Sequence, residues 1–281
     1  MTRHAVTLIL FLAACGGPDD TTLDQHSGTP LKPAVTAPTR QPVSGDWRVR
    51  VAADVADLQA TDPDLFAQLT SVSAQRSRAG ILRFSSTPSA DPRATSVFLD
   101  RLVRGGGSVA ERAALGEVLG RTTGTYADAL VDLFASEREA SVRSAYVHSA
   151  KRATSEHAVT VIQRGLGDSS TEVQAEAARV AAGHPSGARL ATELRAALAS
   201  SAPEVRSEAA RSLGILGVET ARGELLARLD DGAADVRLEA LRALDRITPG
   251  SVDATRLALL SRDSDERISR LAVKLADTAV R

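Results

Sequence analysis

The chain has 281 residues, 43% of them apolar and 25% charged, which is enough for a packed core and excludes disorder throughout. Lys+Arg 34 against Asp+Glu 35 leaves a formal charge of −1, without the basic excess that binding to nucleic acid or an anionic lipid surface selects. One cysteine excludes an intrachain disulfide and a cysteine-rich metal site, and no apolar run reaches the ~20 residues of a membrane helix.

Residues 1–14 read as a secretory signal: Arg3 supplies the charged start and Ala5 to Ala14 the short apolar core. The segment Leu12-Ala13-Ala14-Cys15 resembles the lipobox of bacterial lipoproteins, in which small side chains admit a peptidase and a cysteine thiol accepts diacylglycerol. The resemblance implies lipidation of Cys15, export, and a stable membrane anchor, since each buried methylene of an acyl chain contributes ~0.8 kcal/mol. Gly16, not aspartate, stands immediately after Cys15, and by resemblance to enterobacterial lipoproteins this implies the outer membrane where the cell has one and otherwise the outer face of the cytoplasmic membrane. The competing reading is an ordinary secretion signal with a chance cysteine. Residues 15–45 hold five of the eleven prolines and few large apolar side chains, so they read as a disordered tether with an r.m.s. span of roughly 30 Å.

Residues 46–93 read as an N-terminal cap. Trp47, Val49 and Val51 alternate as in a strand, whereas Trp47, Val51, Val55 and Leu58 fit one helical face, and periodicity alone leaves both open. Asp62-Pro63 followed by Leu65, Phe66, Leu69 and Val72 is a helix start, with a capping aspartate and a proline in the first turn. A short strand is expected at Ile81 to Phe84.

Residues 94–281 are repetitive. The anchors Val142, Val173, Val205, Val236 and Ile268 recur at 31, 32, 31 and 32 residues, and apolar side chains follow at +4, +5 and +8, as in Ala209, Ala210 and Leu213. That spacing is one face of a helix. Eleven residues before each anchor stands a second apolar column, Val131, Ile162, Leu194, Leu225 and Leu257, on a preceding helix. Gly124, Pro185, Gly187, Gly217, Pro249 and Gly250 punctuate the joins between repeats, and Glu137, Asp168, Asp231 and Asp263 mark the turn inside four of five hairpins, with Ser200 in the fifth. The pattern predicts an all-α solenoid of about six stacked hairpins.

The copy Val205-Arg206-Ser207-Glu208-Ala209-Ala210-Arg211-Ser212-Leu213-Gly214 resembles HEAT-like repeats, in particular the short bacterial variety of phycobilisome lyases. Val142-Arg143 and Val236-Arg237 keep the dipeptide; Val173-Gln174 and Ile268-Ser269 lack the arginine, so a stacked arginine ladder would be incomplete. In the first unit Glu111-Arg112 stands where an apolar-Arg pair is expected.

No catalytic, cofactor or metal motif emerges: there is no GxSxG, P-loop or HExxH, and His26, His148, His157 and His184 read as surface histidines without metal-ligand spacing. Six residues after each anchor, however, stand His148, Arg179, Arg211, Arg242 and Lys274. In HEAT-like stacks the second helices line the inner surface, so the resemblance implies a basic row there, suited to an acidic segment of a protein or peptide. Glu176, Glu208 and Glu239, three residues earlier, offer the competing reading of a salt-bridged solvated face. The sequence therefore points to a membrane-anchored, non-catalytic binding scaffold of the cell envelope. A lyase-like enzyme or accessory and an inert spacer are the alternatives.

Overall fold

The computed structural model describes residues 46–71, 91, 93–105, 107–119, 126–153 and 155–279. The signal, Cys15, the tether, the strand expected at 81–84 and Gly124 lie outside the described residues. Those described form fourteen α-helices and no strand.

Two helices come first, α1 (Trp47–Thr61) and α2 (Pro63–Thr70). The ambiguity at Trp47 resolves as helix: Trp47, Val51 and Leu58 are buried, while Val49 is 68% exposed. Asp62 caps α2 as expected, its Oδ1 accepting from the Leu65 N–H at 3.0 Å, with Pro63 in the first turn. Burial alone does not hold α1 in place. Trp47 Nε1 donates to Asp132 at 2.9 Å, Arg50 pairs with Asp128 at 2.6 Å, and Asp54 accepts from Ser96 at 2.8 Å.

Six hairpins follow: α3 (Arg93–Val103) with α4 (Val109–Leu119); α5 (Ala127–Ser136) with α6 (Ala140–Ala150); α7 (Glu156–Leu166) with α8 (Thr171–Gly183); α9 (Ala191–Ala197) with α10 (Pro203–Ile215); α11 (Arg222–Arg228) with α12 (Ala234–Ile247); and α13 (Ala254–Leu260) with α14 (Glu266–Ala279). The first helices α9 and α11 are entered through the 3-10 turns Gly187–Leu190 and Glu219–Ala221. Second helices stack on second helices, α4 on α6, α6 on α8, α8 on α10, α10 on α12 and α12 on α14. This is an α-solenoid.

The anchor column is the spine of its core. Val142, Val173, Val236 and Ile268 are fully buried and Val205 nearly so, as are Ile162, Leu194 and Leu225 of the first helices. Ala209, Ala210, Ala240 and Ala272 share that burial, and small side chains there let backbones approach. Closest is the α10–α12 contact, where a Cβ on Gly214 would stand 2.6 Å from the Ala243 Cα. A Cβ on Gly187 would stand 2.0 Å from the Ala181 carbonyl oxygen, so only glycine fits that turn.

His184 departs from the expected surface location: it is 3% exposed in the turn after α8. Its Nδ1 accepts from the Ser186 N–H at 3.1 Å, which puts the proton on Nε2, and that N–H donates to the Ala153 carbonyl at 2.7 Å.

Ion pairs tie successive turns together. The arginine one residue after the anchor clamps the turn carboxylate of the next hairpin through Nε and Nη2: Arg143 to Asp168 at 2.8 and 2.8 Å, Arg206 to Asp231 at 2.8 and 2.7 Å, and Arg237 to Asp263 at 2.8 and 2.8 Å. In the degenerate first hairpin Arg112 does the same to Glu137, at 3.0 and 3.2 Å. The remaining Nη1 donates to carbonyls of the arginine's own turn, as from Arg143 to Arg138 at 2.7 Å and from Arg206 to Ser200 at 2.9 Å. Each acid also accepts a backbone N–H two residues on, Ser170 to Asp168 at 2.8 Å and Ala233 to Asp231 at 3.0 Å. Bidentate, well-enclosed pairs of this kind are the strong class. One rung is missing. Between the third and fourth hairpins, Gln174 replaces the arginine and Ser200 the acid.

The Arg206 and Arg237 guanidiniums hold Asp231 and Asp263 below the ordinary carboxylate range. Burial would raise Asp168, but Arg143 and the Ser170 N–H outweigh it and hold that group low as well. Carboxylates lowered in the folded state contribute stability fully above the unfolded value of 3.8 and lose it as pH falls through the native values. An Asp231→Asn/Asp263→Asn variant should lose ~1 to 3 kcal/mol per site at pH 7, in urea unfolding, and decline less steeply than wild type below about pH 4. Equal slopes would exclude these acids from the acid sensitivity. Leu225→Ala should cost ~2 to 5 kcal/mol, and a loss below ~0.5 kcal/mol would show that the register is wrong.

Candidate functional site

The second-helix layer carries a groove of about 880 Å³, lined by the same register positions of α6, α8, α10 and α12. Counted from the anchors, its walls include the residues at −1 and +3. The −1 positions are Glu172, Glu204 and Asp235, and the +3 positions are Glu176, Glu208 and Glu239. Small side chains at +2, namely Ser144, Ala175 and Ser207, form the floor between them and keep the groove open. The repeat places these residues together because one helical turn separates −1 from +3 on a single face.

The basic row expected at +6 borders this groove. His148, Arg179, Arg211 and Arg242 have side chains 48, 38, 46 and 44% exposed, and Lys274 is exposed on α14. Arg179 is the one member that lines the groove itself. Each arginine is engaged by the glutamate three residues earlier: Arg179 with Glu176 at 2.5 Å, Arg211 with Glu208 at 3.3 Å and Arg242 with Glu239 at 2.6 Å. His148 Nδ1 also reaches Glu176, at 2.9 Å, and so joins the third hairpin's pair across the repeat boundary. Lys274 has Leu271 three residues earlier in place of a glutamate. The +3 and +6 rows therefore largely neutralise one another.

The −1 row went unnoticed in the sequence, although it recurs at the same period as the anchors. Asp235 pairs with Arg267 at 2.8 Å. Among the described residues Glu172 and Glu204 have no cation within ion-pair distance, which leaves the centre of the groove negative. Among the described residues no group of three or more His, Cys, Asp or Glu side chains is placed to hold a metal ion, and no helix is long and apolar enough to cross a membrane.

The pattern that defines HEAT repeats matches residues 160–245, the span from α7 to α12 that contributes most of the groove. Two crystal structures of engineered proteins from the Northeast Structural Genomics Consortium are similar. One is 22% identical, covering 70% of this chain and 95% of its own, with a TM-score of 0.40; the other is 18% identical, covering 82% and 68%, with a TM-score of 0.44. No curated protein matches the chain. The body of the chain is an all-α solenoid of HEAT-like helical hairpins.

Proposed function

We propose that this chain is a membrane-anchored, non-catalytic scaffold of a bacterial cell envelope that holds a protein or peptide segment in its second-helix groove. The observation that carries the binding reading is the groove itself, built from equivalent positions of four successive hairpins. Solenoids present extended partners with surfaces of this kind. The anchor and the envelope location rest on Leu12-Ala13-Ala14-Cys15. The non-catalytic reading rests on the groove's chemistry, in which five of the seven charged side chains are already engaged in carboxylate–arginine pairs and the floor is serine and alanine.

Charge favours one class of segment. An acidic segment, as the basic row alone suggests, would have to displace Glu176, Glu208 and Glu239 from their arginines. A segment carrying cations meets Glu172 and Glu204 without displacing anything, since the other four groove carboxylates already have arginine partners. The partner is therefore read as a protein or peptide with basic side chains along the contact.

Full-length protein with Glu172→Lys/Glu204→Lys should lose capture of its partners from envelope extracts, with far-UV circular dichroism unchanged. Arg179→Glu/Arg211→Glu/Arg242→Glu should retain most of it, and salt should weaken capture by wild type. The opposite ranking would assign the site to an acidic partner through the basic row. Indifference to both variants would place binding elsewhere, and no capture at all would favour a spacer. Separately, incorporation of labelled acyl chains should disappear in Cys15→Ser; labelling that survives would remove the anchor.

A further inference from the structure

We infer that the junction between the third and fourth hairpins is a built-in joint, at which the edge of the stack that carries the groove opens and closes. Four of the five junctions are clamped at that edge by an arginine-carboxylate rung, and this junction alone among the six described hairpins is not. The two replacements complement each other. Gln174 Nε2 donates to the Asp168 carbonyl at 2.5 Å, the bond to its own turn that the arginines make through Nη1, but it has no group to cross to the next hairpin. Arg206 still staples the Ser200 turn to its own helix, while Ser200 supplies no carboxylate for a neighbour. Each hairpin thus keeps its internal brace and only the link between them is gone.

What does cross this junction lies elsewhere. Ser212 Oγ donates to the Ala178 carbonyl at 2.7 Å in the middle of the second helices, and Arg189 meets Glu156 at 2.6 Å on the outer layer with both side chains more than half exposed. Gln163 donates to Glu193 at 2.6 Å, also on first helices. Such exposed pairs are screened by solvent and hold a junction only weakly. The apolar stack therefore persists as a pivot while the turn edge is free to separate.

The position of this joint gives it a use. The groove draws on α6 and α8 from one side of the junction and α10 and α12 from the other, so separation at the edge widens it at its midpoint. Glu172 and Glu204 flank that midpoint, and like charges there bias the edge toward opening. The inference concerns the fold and holds whether or not the partner is basic.

Hydrogen exchange of the full-length protein reads the joint directly. The N–H two residues after each turn acid donates to it, as in Ser170, Ala233 and Asp265, whereas the Ala202 N–H meets only the Ser200 hydroxyl at 3.3 Å. Ala202 should show protection about tenfold below the other three. Ser200→Asp alone gives the Ala202 N–H a carboxylate acceptor and should raise its protection in part, Gln174→Arg alone should not, and Gln174→Arg/Ser200→Asp, which installs the rung, should raise it further, to the level of the other three. Spin labels at Arg138→Cys and Gly232→Cys, in a Cys15→Ser background, should give a broad distance distribution that the installed rung narrows. Equal protection of Ala202 in the wild type, or a distribution no narrower with the rung in place, would overturn the joint. If the double variant does not fold, the wild-type distance distribution decides the matter, and a narrow one would overturn the joint.

Discussion

No hairpin in this chain can bury both sides of its own apolar face, and the rest of the structure follows from that constraint. Val205 and Leu225 reach full or nearly full burial only because neighbouring hairpins close over them. A nearest-neighbour array of this sort is stabilised interface by interface, so the period of 31 or 32 residues is the condition for a continuous core. The close approach of Gly214 to Ala243 and the run of buried alanines in the second helices are the local expression of the same demand.

Stacking alone sets the distance between hairpins more firmly than their angle, because apolar contacts are not directional. The arginine-carboxylate rungs supply direction. Arg143, Arg206 and Arg237 each fix the next turn through two parallel bonds while bracing their own, and the acid closes the arrangement by accepting a backbone N–H. The rungs run along the N-terminal edge of the second helices, beside the residues that line the groove. Geometry at that edge therefore governs the surface available to a partner, and the absent rung between Gln174 and Ser200 lies at the groove's centre.

Much of this was legible in the sequence, because one pattern repeated five times averages out local noise. The anchors, the +4 positions and the turn acids stand where the spacing puts them, whereas the +5 residue of the last hairpin, Val273, is 48% exposed. The pairing of Arg143 with Asp168 was less visible: the two columns were separately apparent, but their contact spans 25 residues and depends on the stacking angle. Arg112 shows the same limit, since its hairpin has lost the apolar anchor yet keeps the rung to Glu137. The helix α1 was ambiguous for a different reason. Polar contacts to Asp128 and Asp132, some eighty residues away, help to hold it, and periodicity carries no trace of them. His184 read as a surface residue because its two hydrogen-bond partners are backbone groups, which sequence does not distinguish. In the groove, the +6 row stands out in sequence for its charge, while Glu172 and Glu204 are distinguished only by lacking a cation partner, which the sequence does not show.

The central functional claim is that a partner lies along the second-helix groove and not on the outer layer of the solenoid. Site-specific photo-crosslinking in intact cells tests it most directly, with a photoreactive residue at Ser207 on the groove floor of α10 and another at the exposed Ala196 on the outer helix α9. The account predicts a discrete crosslinked protein from position 207 that is absent from position 196. Crosslinking from 196 with none from 207 would contradict it.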